Sequence, residues 1–242
     1  MTRGAAVLMT GIVLFFVAAG NALSSSQTSR GIPGCAPQCL TPALTRPGDL
    51  PAGKYTTKFF FAHQLTLSFP KGWTSDEDST GEFAAGPKRN PDSRVIFWED
   101  VYAVTLSKPI GSWRRVGPLR RTSASLIAWL QKNDNLTITN PVTGKIGAIR
   151  ARVVDVSVSD QAVNDDPGCP AAACANFLHF PQWGEPYGIA GKAVTRLYLS
   201  DVRYGGQRHL FVVAVEAVGR AELTAFLPSA KRLIATVRVP VS

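Results

Sequence analysis

Four cysteines sit in two close pairs, Cys35 and Cys39 in "CAPQC" and Cys169 and Cys174 in "CPAAAC". They could ligate a metal, exchange with other thiols or staple loops. Structural zinc favours Cys-x₂₋₄-Cys, and both pairs fall in that range. Thioredoxin-type exchange wants Cys-x-x-Cys, which neither pair has. Both pairs lie in Pro-containing stretches of a chain whose N-terminus reads as an export signal, and exported thiols oxidise. Disulfides are therefore expected ahead of zinc or free thiols. Pairing Cys35 with Cys39 and Cys169 with Cys174 closes two tight loops, each worth only about 2 kcal/mol in the chain-entropy model. A crossed pairing that pins the N-terminal segment onto the domain is the alternative. No metal and no cofactor is expected.

Carboxylates cluster at Asp76, Glu77, Asp78 and Glu82. Ca²⁺ takes six to eight oxygens, but the EF-hand spacing is absent. A solvated acidic loop is the expectation, and the same holds for Asp165 and Asp166. The three histidines, His63, His179 and His209, are far apart in sequence. Neither a G-x-S-x-G elbow nor H-E-x-x-H occurs, and a triad needs nucleophile, base and orienter in one place. No catalytic residue is assigned, and the chain is expected not to be an enzyme.

Two stretches offer contact surfaces. "SWRRVGPLRR" brings Trp113 together with Arg114, Arg115, Arg120 and Arg121. An amphipathic ring and four guanidiniums suit an anionic membrane surface, at up to ~1 kcal/mol per charge; a solvated loop before a helix is the plainer reading. "NFLHFPQWGEPYG" holds Phe177, Phe180, Trp183 and Tyr187. Those rings could line a pocket for an apolar or glycan ligand, or form a satellite core under a long loop.

The elements that must position these residues begin after an export signal. "MTR" carries one Arg, and the run from Ala5 to Gly20 is uncharged and apolar. "GNA" places small residues at −3 and −1 of a cleavage site, so residues 1–22 read as a secretory signal peptide. The alternative is an uncleaved membrane anchor, since Ala5–Leu23 approaches the ~20 residues of a spanning helix. Residues 23–49, rich in Ser, Thr, Pro and Gly, read as a tether. Residues 50–242 remain as a single domain. With 45% hydrophobic residues, 18% charged residues, five Trp and twelve Phe, that domain buries a core without staples. The formal charge of +9 favours anionic surfaces. Export removes nucleic acid from the candidate partners and leaves an envelope protein, or an apolar or anionic ligand, bound by a monomer.

Within the domain, "KYTTKFFF" and "QLTLSF" read as a strand pair; Leu65, Leu67 and Phe69 alternate with polar residues at the strand period. "TSDEDSTGEF" reads as a loop. Ser93–Leu106 is extended, and "TSASLIAWLQKN" is a helix capped by Thr122 or Ser123, with Leu126, Ile127 and Leu130 on its apolar face. Strand-like segments run from Leu136 to Val158, with Arg150 and Arg152 near the start of the last. Residues 160–191 read as irregular. "KAVTRLYLSDVRY" and "RHLFVVAVEA" flank Gly205–Gly206 as a β-hairpin. The C-terminal segment reads as a helix that Pro228 interrupts with a kink or a new first turn, followed by a final strand "ATVRV". The class is α+β: a central antiparallel sheet flanked by two main helices.

Together "GKYTTKFFFAHQLTLSFPKGW", "SASLIAWLQKNDNLTIT" leading to "VTGKIGAIRARVVDV", and "TRLYLSDVRYGGQRHLFVVAVEA" followed by "AELTAFLPSAKRLIATVRV" resemble the PsbP-like superfamily. The resemblance is greatest to its small exported bacterial members of the LpqN lipoprotein type. It implies an α/β/α-type sandwich and a non-catalytic binding or accessory role in the bacterial cell envelope. It carries over no catalytic residues. The chain departs from that type in lacking a lipidation cysteine after the apolar run. The competing expectations are a small extracytoplasmic hydrolase with an unrecognised site, and a purely structural envelope module.

Overall fold

The structure is a computed structural model that describes residues 43–44, 48–57, 64–79, 82–107, 112–115, 122–162, 173–179 and 186–239. These all fall in one compact unit, Thr41–Ser242.

In chain order, β1 (Ala43–Leu44) and β2 (Gly48–Leu50) precede β3 (Gly53–Thr57) and β4 (Thr66–Phe69). Then come β5 (Trp73–Ser79), β6 (Glu82–Pro87), β7 (Arg94–Glu99), β8 (Tyr102–Ser107) and β9 (Ser112–Arg115), followed by α1 (Ser123–Leu130). After it run β10 (Leu136–Ile138), β11 (Val142–Ile146), β12 (Ile149–Val158), β13 (Cys174–His179) and β14 (Pro186–Ala190). The long strands β15 (Val194–Tyr204) and β16 (Gln207–Ala217) lead into α2 (Arg220–Ala235). Among the described residues, strand pairing thus begins at Ala43, inside the segment that reads as a tether.

The fold is α+β, built on an open antiparallel sheet in the order β10-β12-β15-β16-β7-β6-β5-β2, with β11 also on β12. Its central strands are apolar on both faces, as strands covered on both sides must be. On β16, Phe211, Val213 and Val215 enter one core while Leu210, Val212 and Ala214 enter the other. The first core is closed by Leu223, Phe226 and Leu233 of α2 and by Leu65, Leu67 and Phe69 around β4. The second is closed by Leu126, Ile127 and Leu130 of α1 and by β13 and β14 through Ala175, Phe177 and Ile189. A helix therefore lies on each face of the sheet.

Local chemistry explains the ends. Thr122 caps α1, its Oγ1 accepting from the Ser125 amide at 3.2 Å. Gly205 and Gly206, at φ 55° and 74°, make the β15–β16 turn that only residues tolerant of positive φ can adopt.

Four expectations fail. "TSDEDS" is strand, not loop: β5 pairs with β6 across a bulge between Ser75 and Glu77. Among the described residues β2 pairs only with Trp73–Ser75, which leaves the acidic half of β5 as an edge there, where charge is tolerated. Residues 160–191 are not wholly irregular, since β13 and β14 pair within them. Pro186 opens an edge strand, a position that needs no ladder donor. α2 runs through Pro228 as one helix, with no new first turn there; the proline lacks the N–H that would pair the Thr224 carbonyl, and both residues are exposed. "ATVRV" is no strand: Thr236 caps α2, and the residues after it make a single bridge, Thr66 to Arg238.

Candidate functional site

Three polar constellations interrupt the packed cores. The first stands where the α1 face of the sheet runs out of apolar residues. On β12, Val154 and Val156 enter the core beside α1, and two and four residues back on the same face come Arg152 and Arg150. On β15 the same alternation carries Leu197 and Leu199 into Asp201 and Arg203, and on β16 it carries Val212 and Leu210 into Arg208. Arg152 is opposite Leu199, Asp201 opposite Leu210, and Arg203 opposite Arg208. Four arginines thus share one face of three adjacent strands.

A cavity of about 500 Å³ opens there, lined by Ser123, Val142, Thr143, Arg150, Arg152 and Asp201 among others. The one carboxylate is committed: Asp201 accepts from the Ser123 amide at 2.9 Å and from Ser123 Oγ at 2.8 Å, filling the N-terminus of α1. Among the described residues, no hydrogen bond or ion pair engages the guanidinium of Arg150, Arg152, Arg203 or Arg208.

The second constellation lies on the α2 face. Asp155, 6% exposed, accepts from Arg196 Nε at 2.6 Å and Nη2 at 3.0 Å, a bidentate fork from the residue directly opposite it. Arg220 Nη1 at the start of α2 also binds it. Burial pushes the Asp155 carboxyl up, but the hydrogen bonds and charges of Arg196 and Arg220 outweigh it and hold it below the usual 3.8. Beside this network is a cavity of about 330 Å³ lined by Asn140, Thr143, Asp155, Arg196, Tyr198 and Lys231 among others. Burial raises the Tyr198 phenol above its usual 10.0, against the opposing pull of Arg196. With its arginines spent on Asp155, this network reads as the clasp between α2 and the sheet.

The third is made of residues over a hundred positions apart. Asp100 follows β7 at φ 51°, in the left-handed region that non-glycine residues seldom enter. Its backbone amide donates to Leu210 O at 2.9 Å, and its Oδ1 accepts from the Leu210 amide at 3.0 Å. His209 Nδ1 lies 3.0 Å from Asp100 Oδ2 and 3.1 Å from Glu99 Oε1. The imidazole stacks on Tyr204, with centroids 3.8 Å apart and planes 9° off parallel. Two carboxylates thus fix the ring through one nitrogen. In the sequence His209 reads as a strand residue without chemistry, because no spacing signal links it to Glu99 and Asp100.

The other expected site residues are placed as follows. Cys174 opens β13 and is disulfide-bonded; Cys35, Cys39 and Cys169 lie outside the described residues, so the pairing does too. Trp113, Arg114 and Arg115 are on β9, paired with Leu106, Thr105 and Val104; their side chains, and Arg120 and Arg121 altogether, lie outside the described residues. Phe177 is fully buried and meets Tyr187 edge-on at 5.4 Å, while Tyr187 meets Trp98 at 4.7 Å. Neither lines the two cavities above. Phe180 and Trp183 are outside the described residues. Glu82 is no solvated loop carboxylate: it is 6% exposed and accepts from Trp98 Nε1 at 2.6 Å.

No family model matches the chain, and no curated protein matches it. Among solved structures it is similar to one from Bacteroides thetaiotaomicron, at 13% identity and TM-score 0.33, over 73% of this chain and 45% of that one. It is also similar to LpqN, involved in cell envelope biogenesis of Mycobacterium tuberculosis, at 9% identity and TM-score 0.40, over 81% of this chain and 91% of that one. The chain thus spans less than half of the first. Both superpositions are too loose to transfer a function or a residue's role.

Proposed function

We propose that this chain is an exported, non-catalytic binding or accessory domain of the bacterial cell envelope, and that it holds an anionic ligand in the arginine-lined cavity at the end of the α1 face. The observation that carries this reading is the pair Arg150 and Arg152, both lining one cavity of about 500 Å³ with no partner among the described residues. Arginine forks that have no internal carboxylate are free for an external one or for phosphate. Export is supported by the apolar run from Ala5 to Gly20 and by the disulfide at Cys174, which suits an oxidising compartment. The same proposal includes a signal at 1–22, a tether, and one domain of PsbP-like layout, the last supported by a helix on each face of the sheet.

Native mass spectrometry of protein recovered from the extracytoplasmic fraction tests it. A cleaved N-terminus, oxidised cysteines and a co-purifying anion that is lost in Arg150→Gln/Arg152→Gln are expected. A cytosolic, fully reduced, full-length chain defeats the export half. Equal retention of the anion by the double variant defeats the site.

One observation favours a second reading, an extracytoplasmic hydrolase. His209 directs Nδ1 at two carboxylates, which orients the ring and makes Nε2 the base. Turnover of ester or peptide substrates that vanishes in a folded His209→Gln variant is the outcome that would establish it.

A further inference from the structure

We infer that the anionic group taken by the α1-face site is a phosphate, read by four arginines and not only by the two that line the cavity. The inference rests on the binding function proposed above and narrows its ligand class.

The register supplies the geometry. Same-face rows of the sheet run Arg152–Leu199, then Arg150 beside Asp201–Leu210, then Arg203–Arg208. Rows on one face are spaced by about 7 Å and neighbouring strands by about 4.8 Å. The four arginines therefore border a patch three rows long, about 14 Å, and three strands wide, about 10 Å, within reach of one phosphate-bearing group. Arg150 and Arg152 approach it from the cavity, and Arg203 and Arg208 from the hairpin end.

Charge selects the ligand. On the rows of β12, β15 and β16 Asp201 is the one acid, and its two oxygens are already held by Ser123; Asp100 beyond Leu210 is held by the Leu210 amide and His209. On β12, β15 and β16 the rows carry four cations against one acid, and Lys145 of β11, directly opposite Arg150, adds another cation. Arg203 and Arg208 stand directly opposite each other, and like charges in that relation destabilise a ladder. A single carboxylate carries one charge and relieves little of this. A phosphate monoester carries about −1.5 to −2 with three acceptor oxygens, so it can bridge two opposed forks while the cavity pair holds the rest.

Phosphate can arrive as a lipid headgroup or on a soluble molecule, and the test separates them. The folded, oxidised protein is titrated by calorimetry at low salt with pyrophosphate and, separately, with citrate. Its binding to vesicles of phosphatidylcholine alone and with phosphatidic acid is measured by sedimentation. Pyrophosphate or phosphatidic-acid vesicles should bind at least tenfold more tightly than citrate. Arg203→Gln/Arg208→Gln and Arg150→Gln/Arg152→Gln should each weaken that binding tenfold or more. The first pair should also raise the thermal midpoint, since it removes a repulsion, which rules out misfolding as the cause of lost binding. Binding of vesicles but not of pyrophosphate assigns the headgroup; the reverse assigns a soluble phosphate. Citrate binding as tightly as pyrophosphate, yet lost in Arg150→Gln/Arg152→Gln, overturns the phosphate while leaving the anion site standing. Phosphate binding unchanged in Arg203→Gln/Arg208→Gln overturns the four-arginine reading. No binding by any probe overturns both.

Discussion

Arg203 of β15 faces Arg208 of β16 across the antiparallel ladder, with Asp201 facing Leu210 one same-face row away. Both arginines are exposed, so the repulsion is screened yet present. Replacing one with an acid converts a like pair into an opposite one. Arg208→Glu should stabilise the fold by about 0.5 kcal/mol while weakening binding to anionic probes, read from the urea midpoint and from calorimetry on the same sample. A drop in stability would show that the two side chains do not oppose each other in solution.

Asp155 holds two guanidiniums from a position almost without solvent. Removing it leaves Arg196 unpaired in a site where its side chain is 24% exposed. Asp155→Ala should cost about 2–3 kcal/mol, less than a fully buried pair because Arg220 is half-exposed and can turn to solvent. The pH dependence has a definite sign. The folded carboxyl lies below its usual 3.8, so its contribution is complete above that value and disappears as pH falls through the lower, folded one. Urea midpoints taken from pH 6 to pH 2 should converge for wild type and Asp155→Asn at the acid end.

Glu216 behaves in the opposite sense. Burial raises its carboxyl above the usual 4.5, and Arg94 at 2.9 Å pulls it back only in part. The protonated form is favoured by folding, so this stabilisation is complete below 4.5 and lost as pH rises through the higher, folded value. Glu216→Gln should therefore equal or exceed wild-type stability at pH 7, by up to about 1 kcal/mol, and lose that advantage below pH 4. Calorimetric midpoints at the two pH values decide it.

Gly147 joins β11 to β12 at φ 55°, and a Cβ built there would overlap the carbonyl oxygen of Val237. Its amide donates to Ile234 O at 2.9 Å, so the turn cannot swing away freely. Gly147→Ala should cost about 3 kcal/mol or more, the sum of left-handed strain and a backbone clash. Gly206→Ala, at φ 74° with nothing within 4 Å, should lose only the strain, about 1 kcal/mol. Equal losses in urea denaturation would mean that the Val237 contact carries no weight.

Local signals carry much of the fold. Leu65, Leu67 and Phe69 alternate plainly, Gly205–Gly206 marks its hairpin, and Thr122 with Leu126, Ile127 and Leu130 spells a capped amphipathic helix. The elements that local signals miss depend on neighbours. The acids of β5 read as loop because nothing in "TSDEDS" says that β6 will pair with it. Ala175, Phe177 and Leu178 do not read as a strand because Pro and Gly surround them. The sites are less legible still. Arg150 and Arg152 stand out on their strand, but Arg203 and Arg208 join them only through register. His209 meets Asp100 from 109 positions away, a distance that no motif spans.

The bridge between Thr66 and Arg238, with the Ser68 amide bonded to Thr236 Oγ1 at a separation of 168 positions, sets an order of events. The β3–β4 hairpin rests its apolar side on α2 and is tied down by the residues just after that helix. Its partners come 168 positions later in the chain, so this layer is closed by a long-range contact, the kind that forms late in folding. Until α2 docks, the apolar side of β3 and β4 has no cover, so the two ends of the described domain gain their stability together.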